Sequence, residues 1–244
     1  YALIGADQRQ PAVQLLGEIR QLIEQVADPS ERRALLGEWT LVSAYLELPD
    51  IVGMEPLLCN AAQLIGGRCR TLTAAEPFAF GLPLMIFLHR TPGGLERELQ
   101  ALAVVVRLLE QLTGVSSGAD VLFRAEAALY RGHLVEAEPL CHQAAYLSEG
   151  SSQWTVRTGA VNQLAQLAVK RGQNADLSQY IAQLERTVGT DAVCPFVAQL
   201  LQTDYYMWLG VSALIPPWVR DGRQFLPDAP AWVKVYLGYF RLGI

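Results

Sequence analysis

The sequence predicts an all-α chain, a right-handed superhelix of consecutive helical hairpins. Three observations carry that prediction. Glycines stand behind helix-like, small-residue-rich stretches at Gly132, Gly172, Gly210 and Gly243, at spacings of 40, 38 and 33. No segment sustains the alternation of a strand, whereas several keep apolar residues three and four apart. Composition is apolar for a chain without a membrane span, with 51% hydrophobic and 18% charged residues. A period of this size means two-helix units that bury their apolar faces on their neighbours. Such arrays recognise other molecules and seldom carry out chemistry.

Each element has a local reason. Residues Pro11 to Val26 place Val13, Leu15, Leu16, Ile19, Leu22, Ile23 and Val26 on the 3.6-residue stripe of an amphipathic helix. Asp28-Pro29 is a helix start, with Glu31 in the first turn, and that helix runs to about Leu48. Pro49-Asp50 breaks it; a helix over Gly53 to Ile65 follows and Gly66-Gly67 stops it. Arg68 to Glu76 reads as a linker or short turn. Phe78 to Leu88 reads as a buried helix ended by Thr91-Pro92-Gly93-Gly94. Leu95 to Leu112 is the clearest long helix. Ala119 to Tyr130 and Leu134 to Leu147 form a hairpin joined at Gly132, and Gln153 to Lys170 and Asp176 to Val188 form another joined at Gly172. Pro195 to Leu209 opens a third at Gly210. Its second helix is cut short by Pro216-Pro217, because proline cannot continue a helix interior. Trp218 to Phe225 restarts a helix, and Trp232 to Leu242 is a first helix without a second.

Size and charge narrow the function. A chain of 244 residues can form one large domain or a continuous solenoid. No window approaches the ~20 uninterrupted apolar residues of a membrane span. The mean hydropathy of +0.20 then implies exposed apolar surface, or cut ends where neighbouring segments belong. A net charge of −5 lacks the broad basic footprint that nucleic acid requires, so no direct nucleic-acid contact is expected. Cys59, Cys69, Cys141 and Cys194 show no CxxC spacing, so they read as free buried thiols in a reducing cytoplasm. The chain starts at Tyr1 and stops at Ile244 just past a repeat-type turn. It reads as a single helical-repeat domain over 1–244, cut from a longer polypeptide, with 1–75 least repeat-like and 228–244 a truncated last repeat.

Around Gly132 the small residues fall at Ala125, Ala128, Gly132, Ala137 and Ala144, offsets of −7, −4, 0, +5 and +12 that resemble the tetratricopeptide pattern. The next repeat keeps Ala165, Ala168 and Gly172 but has Leu177 and Leu184 at the later positions. The third keeps Gly210 with Thr203 and Tyr206. Phe80-Gly-Leu-Pro83 through Phe87-Leu-His-Arg-Thr-Pro-Gly93 resembles a segment of the large MalT-like regulators of the LuxR family. Gly118-Ala-Asp, Arg124 through Gly132, and Ile215-Pro-Pro-Trp218 are similar to further segments of them. Members join an ATP-binding switch domain, a tetratricopeptide-like superhelix and a C-terminal helix-turn-helix. The resemblance implies that this chain is the superhelical sensor region, whose partners are an inducer or protein in the groove, the other domains of the same regulator, and further copies of itself. With no GxxxxGK[ST] loop and no basic reading helix, ATP and DNA binding are not assigned to these residues, and no cofactor is expected in the chain.

Catalytic constellations are scarce. His133 and His142 lie about nine residues apart with no carboxylate pairing them at ligand spacing, and His89-Arg90 suits a helix C-terminus. An alternative has Arg90 grip an anion. Ser116-Ser117 and Ser151-Ser152 lack a nucleophile elbow. Glu136 and Glu138 cannot face one another on a helix. The chain therefore reads as a non-enzyme.

The array geometry supplies the candidate site. In tetratricopeptide-like superhelices the first helix of each hairpin lines the concave groove. Six residues before each turn glycine stand Glu126, Gln166 and Asp204; two before stand Tyr130, Lys170 and Trp208; ten before stand Leu122, Asn162 and Leu200. Glu126, Asn162, Gln166, Lys170 and Asp204, walled by Tyr130 and Trp208, would suit a polyhydroxylated or amide-bearing ligand. The bland alternative is a concave face that exposes polar residues without a ligand. The cluster Trp208, Trp218, Trp232 and Tyr236 reads as core between repeats.

Overall fold

The computed structural model describes residues 9–47, 50–72, 92–149 and 153–173, with 179–180, 182–183, 186, 203, 205–207, 209–217 and 219 beyond them. Among the described residues all regular structure is helical. The helices are α1 (Arg9–Glu24), α2 (Pro29–Ala44), α3 (Ile51–Ile65), α4 (Gly94–Thr113), α5 (Ala119–Tyr130), α6 (Leu134–Glu149) and α7 (Trp154–Lys170), with short 3-10 turns at Tyr45–Glu47 and Ser212–Leu214. The chain divides into two compact units, Tyr1–Ala160 and Val161–Ile244, the division falling inside α7. The predicted helices over Phe78 to Leu88 and Trp232 to Leu242 lie outside the described residues, as does Gly243.

The helix ends form where the local chemistry requires them. Asp28 caps α2: its carboxylate accepts from the Ser30 backbone N–H at 2.9 Å, while Pro29 supplies a first-turn residue with no N–H to satisfy. Those hydrogen bonds hold the Asp28 carboxyl below its ordinary pKa. Asp50 caps α3 in the same way through the Gly53 N–H at 3.0 Å. After Gly210 the chain makes one 3-10 turn, and Ile215 is extended ahead of Pro216 because proline disfavours helical backbone in the residue before it.

In the first unit α1 packs on α2, α2 on α3, α3 on α4, α4 on α5 and α5 on α6. One continuous core runs from α2 through α6, including Leu41, Met54, Leu58, Leu102, Leu109 and Leu122. Each such leucine contributes about 1.5–3 kcal/mol by burial, more than the ~1 kcal/mol of a helix cap. Packing therefore dominates, and capping sets the boundaries. The segment after α3 is pinned on both sides. Glu38 accepts from the Arg70 and Thr71 backbone N–H groups at 2.7 and 3.0 Å. Arg68 and the Cys69 N–H reach the carbonyls of Glu110 and Leu112 at the end of α4, at 3.1 and 2.9 Å.

Two kinds of glycine appear. Gly37 on α2 is a close-approach site: a Cβ there would stand 2.6 Å from Ile65 Cγ1 and 2.9 Å from the Ile65 backbone nitrogen. Gly37→Ala should push α3 off α2 and cost about 1–3 kcal/mol, read as a lower urea midpoint. Gly132, Gly172 and Gly210 have φ of 79°, 71° and 68° and open space where a Cβ would go. Their replacement costs backbone strain alone. Gly132→Ala is expected to lower stability by about 1–2 kcal/mol, and Gly132→Asn by less, since asparagine tolerates the left-handed region. Equal losses for the two variants would refute this account.

The three turn glycines share one hydrogen-bond pattern. The residue after each glycine donates to the carbonyl five positions back: His133 to Ala128 at 2.9 Å, Gln173 to Ala168 at 2.8 Å, and Val211 to Tyr206 at 2.8 Å. Each glycine also donates three back, to Leu129, Val169 and Met207, at 3.1, 3.0 and 3.1 Å. This is the Schellman closure of a helix with glycine in the left-handed position. The sequence period is thus a repeated structural joint at three of its four positions.

Candidate functional site

The repeated joint fixes where the predicted row falls. Because α5 and α7 end identically, residues six and ten before Gly132 and Gly172 occupy equivalent places on those two helices. In the first unit, Leu122 and Glu126 are buried, at 0% and 2% exposure, and Tyr130 is 43% exposed. In the second unit, Asn162 and Gln166 are buried at 1% and 8%, and Lys170 at the helix end is exposed. Asp204, Trp208 and Leu200 lie outside the described residues, as do His89, Arg90, Ser151 and Ser152.

Burial along α7 is what the sequence reading missed. From Thr155 to Ala168 every residue is buried except the partly exposed Arg157. Thr155, Thr158, Asn162, Gln163 and Gln166 are buried polar groups on that helix. The signal was present: Thr158 to Val169 carries no charged residue, although the stretch is too polar to look like a core helix. Buried polar groups need partners, since an unmet one costs about 1–3 kcal/mol. Within the second unit Asn162 finds one: the Tyr205 hydroxyl donates to the Asn162 backbone carbonyl at 3.0 Å and to its Oδ1. Tyr205, 0% exposed, stands five residues before Gly210, where the earlier repeats have Ala127 and Leu167. Thr158 Oγ1, in the first unit, is buried with no hydrogen-bond partner among the described residues.

Tyr205 therefore joins the candidate residues. Its ring is core and its hydroxyl orients the Asn162 amide by occupying Oδ1. Tyr205→Phe should destabilise the second unit by about 1–2 kcal/mol, measured by amide hydrogen exchange in α7 after Val161. Unchanged exchange there would show that the hydroxyl does not hold Asn162.

Titratable groups elsewhere have physical accounts. Burial pushes the Cys141 thiol up to about 12, with the Glu138 charge adding to it, and burial also raises Cys69. Both are poor nucleophiles at neutral pH, because the thiolate is the reactive form. Cys59, Cys69 and Cys141 form no disulfide, and Cys194 is outside the described residues. Among the described residues no group of three or more His, Cys, Asp or Glu side chains is placed to hold a metal ion. No described helix is long and apolar enough to cross a membrane. Surface ion pairs join Arg124 to Asp120 at 3.2 Å, Arg157 to Glu149 at 3.5 Å, and Arg131 to Glu96.

The geometry defines a chain that is all-helical over its described residues and whose helix-ending glycine joints recur with one hydrogen-bonding scheme. No family model, curated protein or solved structure matches it.

Proposed function

We propose that this chain is a recognition module, the ligand-sensing and protein-interaction helical-repeat region of a cytoplasmic, LuxR-family, MalT-like transcriptional regulator. In this reading the DNA-binding and ATP-binding domains are elsewhere in the polypeptide, and the hairpins stack as a right-handed tetratricopeptide-like superhelix. The observation that carries it is the glycine joint repeated at Gly132, Gly172 and Gly210, which closes the preceding helix each time with one hydrogen-bond pattern. Within the second unit, Asn162 and Gln166, with Lys170 at the helix end, supply polar groups for an inducer. The burial of Asn162 and Gln166 suits groups whose orientation is fixed before a ligand arrives. The mechanism is a population shift, in which a ligand that prefers one arrangement of the array alters contacts to the other domains.

Calorimetry and thermal-shift screening against sugars, peptides and small acids test this reading. A saturable binder whose affinity falls in Asn162→Ala and Gln166→Ala is the expected result. A second reading, a protein-interaction scaffold without a small-molecule ligand, draws on α1, where Leu15, Ile19 and Leu22 are 46%, 36% and 63% exposed. Stable capture of a protein partner, with no response to any small molecule, would favour it.

A further inference from the structure

A different face of α5 forms a site of its own. Arg124, Ala127, Ala128 and Arg131 lie on one side of that helix, at the i, i+3, i+4 and i+7 positions, turned away from Glu126 and Tyr130. They floor a groove of about 580 Å³ whose walls come from α4 and α6, with Leu99 and Ala103 on one side and Pro139 and Leu140 on the other. That volume is within the range of about 300–1,000 Å³ for small-molecule sites. All of these residues belong to the first unit.

The charges are arranged by length. Arg124 and Arg131 are seven residues apart, about 10 Å along the helix axis, with alanines between them. Arg124 pairs with the partly buried Asp120 at 3.2 Å and donates to its backbone carbonyl at 3.4 Å, Arg131 pairs with the exposed Glu96, and such pairs near the surface contribute about 0–1 kcal/mol. A ligand carboxylate or phosphate can replace either acid at small cost and gain planar, bidentate contact. The groove's own acid, Glu136, is turned to His133 Nδ1 at 3.4 Å. An apolar floor closed by a cation at each end selects against a ligand with a single charge.

We propose that this groove binds a small linear dianion, an apolar chain with an anionic group at each end, through Arg124 and Arg131. The inference is independent of the sensor reading above, because it uses none of the row residues.

Octanedioate is the probe, titrated into the full chain by calorimetry, with octanoate and inorganic phosphate as controls. Saturable one-to-one binding of octanedioate, at least tenfold tighter than octanoate, is expected. Arg124→Gln and Arg131→Gln should each weaken it by about tenfold, the loss of one charge-assisted contact. Ala103→Leu, which fills the groove from a partly exposed wall position, should abolish binding while leaving both arginines in place. The melting temperature of every variant is measured first. If Ala103→Leu does not fold, the two arginine variants decide alone. No saturable binding, equal binding of octanoate and octanedioate, or binding unaffected by the arginine substitutions would each overturn the proposal.

Discussion

Leu58→Ala is expected to cost about 2–5 kcal/mol, the largest loss from any single substitution considered for this chain. Leu58 is 0% exposed in the middle of α3, the helix that packs on both α2 and α4. Truncation removes the transfer free energy of the buried methyl groups and leaves a cavity between helices that are tied together on either side. Glu38 and Arg68 hold the chain after α3 against α2 and α4, so the walls cannot easily collapse inward. The measurement is urea unfolding followed by far-UV circular dichroism, with α3 amides monitored by hydrogen exchange. A loss below about 1 kcal/mol would mean that the site closes over the cavity and that α3 is not the central packing element.

The second large effect is a pH dependence. Glu98, near the start of α4, is 7% exposed, and burial raises its carboxyl to about 7, with the Asp50 charge at the start of α3 adding to the rise. Below about pH 4.5, its ordinary value, folded and unfolded chains both carry the proton and nothing is lost. Between there and about pH 7 the unfolded chain releases its proton while the folded chain keeps it. The folded state then binds more protons, so stability falls as pH rises, and above about pH 7 the loss is complete. The total is on the order of 3 kcal/mol. Asp28 acts in the opposite sense at lower pH: its depressed carboxyl gives stability that is lost as pH falls through the acid range. Glu98→Gln removes the first dependence and leaves the second. Melting curves from pH 5 to 8 should decline for the natural sequence and stay nearly flat for the variant. Parallel declines would show that another group carries the effect.

Local chemistry made much of the fold legible. The helix predicted over Ala119 to Tyr130 is observed with those bounds, and the breaks at Asp28-Pro29, Asp50 and Gly66 are observed as caps. The period of 40 and 38 residues predicted a recurring turn, and the same closure is present at Gly132, Gly172 and Gly210. These features are decided within five residues of one another, by backbone conformation and by the absence of a donor in proline. Such short-range preferences are complete in the sequence.

Burial was not legible in the same way. The spacing from the turn glycines placed Glu126, Asn162 and Gln166 at equivalent positions, but helical periodicity tells which residues share a face and not what covers that face. For α7 the tertiary structure covers every side, so Thr158, Asn162 and Gln163 become interior groups, and Tyr205, 43 residues away, becomes the partner of Asn162. The groove over Ala127 and Ala128 likewise exists because α4 and α6 stand on either side of α5. The sequence by itself determined the helices, their ends and the recurring joint, because those depend on neighbours along the chain. The tertiary structure alone decided which polar residues are enclosed and which cations line a cavity, because both depend on contacts between segments far apart in sequence.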